Sequence, residues 1–201
     1  MHTYAKVAKD IGYAKKIIEQ GRIVAFPTGT CYGLAVNALF GPALQRLRNI
    51  KKRPQEKTFT VFMDESLWGT YLDLKPEEEK MLHTYAHTAL TLLVRPGEQL
   101  AHLAQDGMIG LRVIDNAIMK DFAHATLLPM TATSANISGE DPCIQAEAIE
   151  QALPSRDGTT YDLSLGCVLD GGELKQGVVS TIARLNAGKV EIVRQGALMI
   201  S

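Results

Sequence analysis

Residues 22–34 read RIVAFPTGTCYGL. Arg22-Ile-Val-Ala-Phe26 is a continuous apolar run without alternation, the pattern of a strand buried on both faces. Pro27 lacks the N–H that a central ladder needs, so it ends the strand. The stretch TGTCYGL that follows is expected to be a loop. Upstream, Asp10 is placed to cap a helix with Ile11, Ala14, Ile17 and Ile18 on one face and Gly21 as its stop. Downstream, Gly41-Pro42 puts a proline in the first turn of a helix bearing Leu44, Leu47 and Ile50.

The alternation continues along the chain. Thr58–Met63, Ala89–Arg95 and Ile109–Ile114 read as strands, Asp64 and Pro76 open helical stretches, and a helix is expected from about Asn116 to Ala125. Pro129–Ala135 reads as a short strand with a polar end, and Ile144–Leu153 as an amphipathic helix. Val178–Leu185 and Val190–Arg194 flank Asn186-Ala-Gly188, a hairpin signature. Strands alternating with helices predict an α/β fold, a twisted open mixed sheet with flanking helices. No repeat, low-complexity tract or long linker divides the chain, so residues 1–201 are read as a single domain.

Composition narrows the function classes. The 201 residues are 46% hydrophobic and 21% charged, which argues against disorder, a fibre or a coiled coil. A formal net charge of −1 gives no overall field toward nucleic acid or membrane, so any anion site must be a local cluster. Apolar runs such as Ala89–Val94 are too short to span a bilayer, and the first residues carry no signal segment. A cytoplasmic location without membrane contact is the expectation. Cys31, Cys143 and Cys167 form no CxxC pair, which suits a reducing compartment better than a disulfide framework or a zinc site.

One local cluster exists. Arg46, Arg48, Lys51, Lys52, Arg53 and Lys57 lie within twelve residues, with Glu56 as the sole acid among them. A solvated helix face would account for such a run. Pro54, however, disfavours helix at Arg53, and if the segment is extended, Lys51 and Arg53 point the same way. Arginine offers phosphate a planar fork of donors and lysine a mobile charge. No GxxxxGK[ST] loop or GxGxxG turn is present, but Ala132-Thr-Ser-Ala-Asn-Ile-Ser-Gly139 sits between a strand and a helix, where hydroxyl and amide groups can meet an anion or merely cap the helix. His83 and His87 have metal-compatible spacing without a third ligand, and read as structural; no protein metal site is expected. Cys31 is read as an incidental buried thiol and Trp68 as core.

Taken together, GRIVAFPTGTCYGL, IKKRPQEK, ATSANISG and the late GVVSTIARL…VRQG resemble, in order and rough spacing, the YrdC-like family that includes threonylcarbamoyl-AMP synthases. The resemblance covers nearly the whole chain. It implies a YrdC-like twisted sheet with a concave positive face, and an activity in which threonine, bicarbonate and ATP give threonylcarbamoyl-AMP and pyrophosphate. A partner threonylcarbamoyl transferase then modifies tRNA. Mg²⁺ is expected to accompany the ATP. The carried-over positions are Lys51, Arg53, Lys57, Ser134, Asn136 and Arg194 for ATP, with Lys51 and Arg53 closest to the chemistry. For threonine they are Thr30, Tyr32, Arg112 and Ser180. Four departures surround the smaller substrate. Gly29 stands where the loop commonly has an acid, and Phe62 where many members have a histidine. Ala86-His-Thr88 replaces a proline–glycine–proline turn, and Ile114-Asp115 a more common proline. They keep a YciO-like paralogue open as an alternative. A module that binds double-stranded RNA or tRNA is the second, although the basic charge is confined to one short segment.

Overall fold

Asp10 opens the first helix as its carboxylate accepts the Tyr13 N–H at 3.1 Å. The computed structural model describes residues 6–153, 165–174 and 179–200. Strand β1 (Lys6–Ala8) leads to helix α1 (Ile11–Glu19), which buries Ala14, Ile17 and Ile18, and Gly21 turns the chain at φ +70°. Strand β2 (Ile23–Pro27) follows as expected and is buried throughout. The next residues differ from expectation: Tyr32–Ala35 of the supposed loop is strand β3, antiparallel to β2. Glycine at position 33 hides this strand from a pattern reading; a Cβ there would lie 3.0 Å from the Phe26 ring. Helix α2 spans Gly41–Ile50 with Pro42 in its first turn.

Of Thr58–Met63 only Val61–Phe62 pairs as a strand, β4. The Lys57 and Thr58 carbonyls accept instead from the Arg48 and Arg53 guanidinia, which keeps them off any ladder. A 3-10 turn capped by Asp64 leads into α3 (Trp68–Tyr71) and β5 (Leu72–Asp73), then α4 (Pro76–Thr84) and β6 (Leu90–Pro96). Strand β7 (Ile109–Arg112) ends two residues earlier than read, and α5 (Ala117–Thr126) is capped by Asn116, which accepts the Met119 N–H at 2.9 Å. The segment read as one strand at 129–135 is two: β8 (Met130–Thr131) and β9 (Thr133–Ser134). In place of the amphipathic helix at 144–153 stand a 3-10 turn, Ala146–Ala148, and one helical turn, α6 (Ile149–Ala152); Gln145 provides no side-chain cap. Strand β10 (Leu165–Leu169) precedes the closing hairpin β11 (Thr181–Asn186) and β12 (Lys189–Arg194). Ala187 and Gly188 both adopt positive φ, as a two-residue primed turn demands. Val178, where the first strand of that hairpin was expected to begin, lies outside the described residues.

The strands form two mixed sheets, ordered β1-β10-β2-β3-β9 and β12-β11-β6-β7-β4-β8, with β5 added on β6. They meet where residues 130–134 cross between them, since β8 pairs with β4 and β9 with β3. Thr131 fixes the crossing: its buried hydroxyl accepts the Val36 N–H at 3.0 Å and donates to Leu34 O at 3.2 Å. The larger apolar cluster draws Ile23, Ala25 and Leu34 from one sheet and Val61, Leu92 and Leu111 from the other, so both rest on shared packing. A second cluster under α1 and α5 holds Phe62, stacked on Phe26 with centroids 4.8 Å apart. The departure at position 62 is therefore a core residue.

Candidate functional site

The crossing between the sheets leaves a hollow of about 180 Å³, open to solvent. One wall is the turn after β2. Thr28 knots it by donating its hydroxyl to Cys31 O at 2.7 Å and accepting the Thr30 and Cys31 N–H groups at 3.3 Å. Thr30 and Tyr32 face the hollow from this turn. The Tyr32 hydroxyl is engaged behind it, donating to Gly172 O at 2.8 Å and accepting from the Gly171 N–H at 3.0 Å. Cys31 also lines the hollow, and burial pushes its thiol up, away from the thiolate a nucleophile needs.

The basic stretch is not extended. Lys51 caps α2 with helical angles, and Lys52 turns at φ +46°. Lys51 is 1% exposed. Its ammonium donates to Ser134 O, to Asn136 O at 2.8 Å and to Asn136 Oδ1 at 3.1 Å, while its carbonyl accepts the Ser138 N–H at 2.8 Å. Burial, helped by Arg53, lowers the Lys51 ammonium to about 7; the three oxygens around it act in the opposite sense. Lys51 thus braces the Ser134–Asn136 turn from behind. Asn136 is used in the same way: its Oδ1 accepts from Lys51 and the Ser134 hydroxyl, and its amide donates to Glu140 O.

Arg53 reaches the hollow. Its guanidinium lies 5.0 Å over the Phe59 ring and donates to the Lys57 and Thr58 carbonyls. The Lys57 side chain is exposed and not part of the lining; it is the Lys57 carbonyl that gathers Arg48 and Arg53. Also in the lining, Ser180 shares a 2.8 Å hydrogen bond with Thr91, and Arg194 donates to Ser180 O at 2.7 Å. Arg112, at the end of β7, donates Nη1 to Leu90 O at 3.0 Å and Nη2 to Asp115, a pair buried to 5% and 2% exposure.

The hollow therefore brings together Thr30, Tyr32, Arg53, Arg112, Ser134, Ser180 and Arg194, drawn from six separate stretches of the chain. Lys51 and Asn136 stand behind it and Lys57 outside its lining. Thr28, Thr60, Thr91 and Thr133 also line it; Thr28 and Thr133 lie inside the quoted motifs without an assigned role, and Thr60 and Thr91 lie in strand-like runs that carry no motif. His87 lies past the end of α4 at φ +65°, so it does not share a helix face with His83. Among the described residues no group of three His, Cys, Asp or Glu side chains could hold a metal ion.

Three arginines, Arg53, Arg112 and Arg194, and the hydroxyls of Thr30, Ser134 and Ser180 line one α/β hollow whose donors suit an anion. The sequence model of the Sua5/YciO/YrdC family, described as telomere recombination, matches residues 16–196, and the chain belongs to that family. A threonylcarbamoyl-AMP synthase of Pyrococcus abyssi is 28% identical over 192 residues, 94% of this chain and 54% of its own length. The structure of P. abyssi Sua5 complexed with L-threonine superposes with a TM-score of 0.78 at 28% identity, covering 92% of this chain and 54% of that one. HypF in its phosphate- and nucleotide-bound form gives 0.77 at 28% identity, over 94% of this chain and 29% of that one. Escherichia coli YciO shares the fold, with a TM-score of 0.78 at 23% identity over 98% of this chain and 96% of that one. This chain spans about half the length of the P. abyssi protein. None of its described helices is long and apolar enough to cross a membrane.

Proposed function

We propose that this chain is an L-threonylcarbamoyladenylate synthase, making threonylcarbamoyl-AMP and pyrophosphate from threonine, bicarbonate and ATP for tRNA modification. The observation that carries the reading is the one hollow lined in common by Arg53, Ser134, Ser180 and Arg194. The threonine amine combines with bicarbonate-derived CO2, and a carbamate oxygen attacks the α-phosphorus as the bond to pyrophosphate breaks. Charge grows on the leaving group and the phosphoryl oxygens, where fixed donors lower the barrier most. Arg53 and Arg194 supply that charge. The Ser134 hydroxyl, which donates to Asn136 Oδ1, must turn from that bond to meet a phosphate oxygen. Thr30, Tyr32, Arg112 and Ser180 surround the amino acid. Mg²⁺ arrives with ATP as part of the substrate, since among the described residues the hollow is lined with hydroxyls and guanidinia and no carboxylate. No residue in the lining has to serve as general base; positioning and charge carry the step.

The test is pyrophosphate release with ATP, bicarbonate and each amino acid in turn. Turnover with threonine alone is the expected result, and Arg53→Ala lowers it about 100- to 1000-fold, the usual effect of one lost charge-stabilising donor. Turnover with no amino acid overturns the reading. A second reading, a YciO-like paralogue with a different acceptor, draws its support from the amino-acid end of the hollow, where Gly29 and the buried Asp115 depart from the pattern. A double-stranded RNA or tRNA binder would instead lose affinity steeply with salt and release no pyrophosphate.

A further inference from the structure

The turn at Gly29 and the loop after β7 touch behind the amino-acid end of the hollow. Gly29 does not need its freedom for an unusual backbone angle, because its φ lies outside the left-handed range. It needs space: a Cβ at this position would lie 2.6 Å from Asp115 Oδ2 and 2.9 Å from its Cγ. The Asp115 carboxylate thus occupies the volume in which a side chain at position 29 would begin. Its Oδ2 pairs with Arg112 Nη2 and its Oδ1 accepts the Asn116 amide at 3.0 Å, while the same amide ties the loop to Pro27 O at 3.1 Å. Arg112 places Nη1 on Leu90 O at 3.0 Å and Thr88 O at 3.3 Å. The guanidinium that lines the hollow reaches it with its charge already neutralised.

We propose that Asp115 is a specificity-determining residue of the hollow. Seated in the space Gly29 leaves, it competes with a ligand's carboxylate for Arg112, so this end does not favour carboxylate-bearing ligands over their neutral counterparts. The inference deepens the synthase reading and rests on it for the identity of the ligand; threonine is then held by its other groups and its KM is high. Physically, a guanidinium buried this deeply is costly without a counter-charge, and Asp115 provides one. Removing that charge leaves a buried cation that an incoming carboxylate can neutralise. The variant is less stable when empty and gains more from a carboxylate ligand. An acid that merely positioned Arg112 would weaken both stability and binding when removed.

The experiment measures binding of acetate, L-threonine and L-threoninamide to the full chain by ligand-dependent thermal melting. In the unmodified protein, threonine and its amide bind within about twofold of each other, well under the tenfold that one charged hydrogen bond would confer. Asp115→Asn lowers the ligand-free melting temperature yet tightens threonine and acetate about tenfold, leaving the amide unchanged. Gly29→Ala, whose new methyl displaces the Asp115 carboxylate, moves binding the same way and supplies the readout if Asp115→Asn does not fold. The proposal is overturned if the unmodified protein prefers threonine over its amide tenfold or more, or if a folded variant binds carboxylates no more tightly. Failure of the synthase reading has its own signature. Threonine then binds no better than acetate in every protein, while Asp115→Asn still tightens both and the competition stands.

Discussion

Lys51 braces the wall of the candidate site without lining it. Its three donors hold the carbonyls of Ser134 and Asn136 and the Asn136 amide oxygen; Lys51→Ala strands Asn136 O in a dry place, while Ser134 O keeps the Asn136 N–H and Asn136 Oδ1 keeps the Ser134 hydroxyl. The expected cost is about 1–3 kcal/mol for that stranded group, visible in denaturant midpoints, together with a large fall in pyrophosphate release. The lowered ammonium also gives a pH signature. Between about pH 7 and 10.5 the unfolded chain still holds a proton that folded Lys51 has released. Stability from this group therefore rises with pH across that window and is lost as pH falls toward 7. Lys51→Met removes that slope, and a Lys51→Met protein that keeps the full slope rules the group out as its source. The basic residues were legible as a cluster, but the division of labour was not. Whether Lys51 points at a ligand or at the 134–136 turn depends on the helix cap at its own backbone, which charge patterning does not encode.

At the scale of elements, the crossing at residues 130–134 does most to build the hollow. Thr131→Val keeps the shape of the side chain but deprives Val36 N–H and Leu34 O of their buried partner. It should cost about 1–3 kcal/mol, seen as a lower urea midpoint at unchanged slope. Tyr32→Phe, which unties the 171–172 turn from β3, should cost about 1 kcal/mol by the same measurement. Elements with local signals were readable: the Asp10 and Asn116 caps, the buried β2, the Ala187-Gly188 turn. Those whose existence depends on distant partners were not. Strand β3 contains a glycine and exists because β2 and β9 flank it, and β4 is short because arginines take the carbonyls beside it.

For the whole molecule, a net charge of −1 gives no overall field toward anions, so attraction rests on local clusters such as the arginines that line the hollow. Nucleotide binding should accordingly be sensitive to Arg53 and Arg194, whereas changing exposed lysines away from the site, such as Lys80, should leave it within error in an equilibrium titration. The mixed α/β class was readable because it follows from element order, while the partition into two sheets was not, since it is decided within residues 130–134, where the chain changes partners. That change of partners has a mechanical result. Because the walls come from both sheets, a nucleotide bound as proposed would act as a rivet through the seam. Heating should release ligand and melt both halves in one cooperative step, with no half-molten species that still retains its cargo.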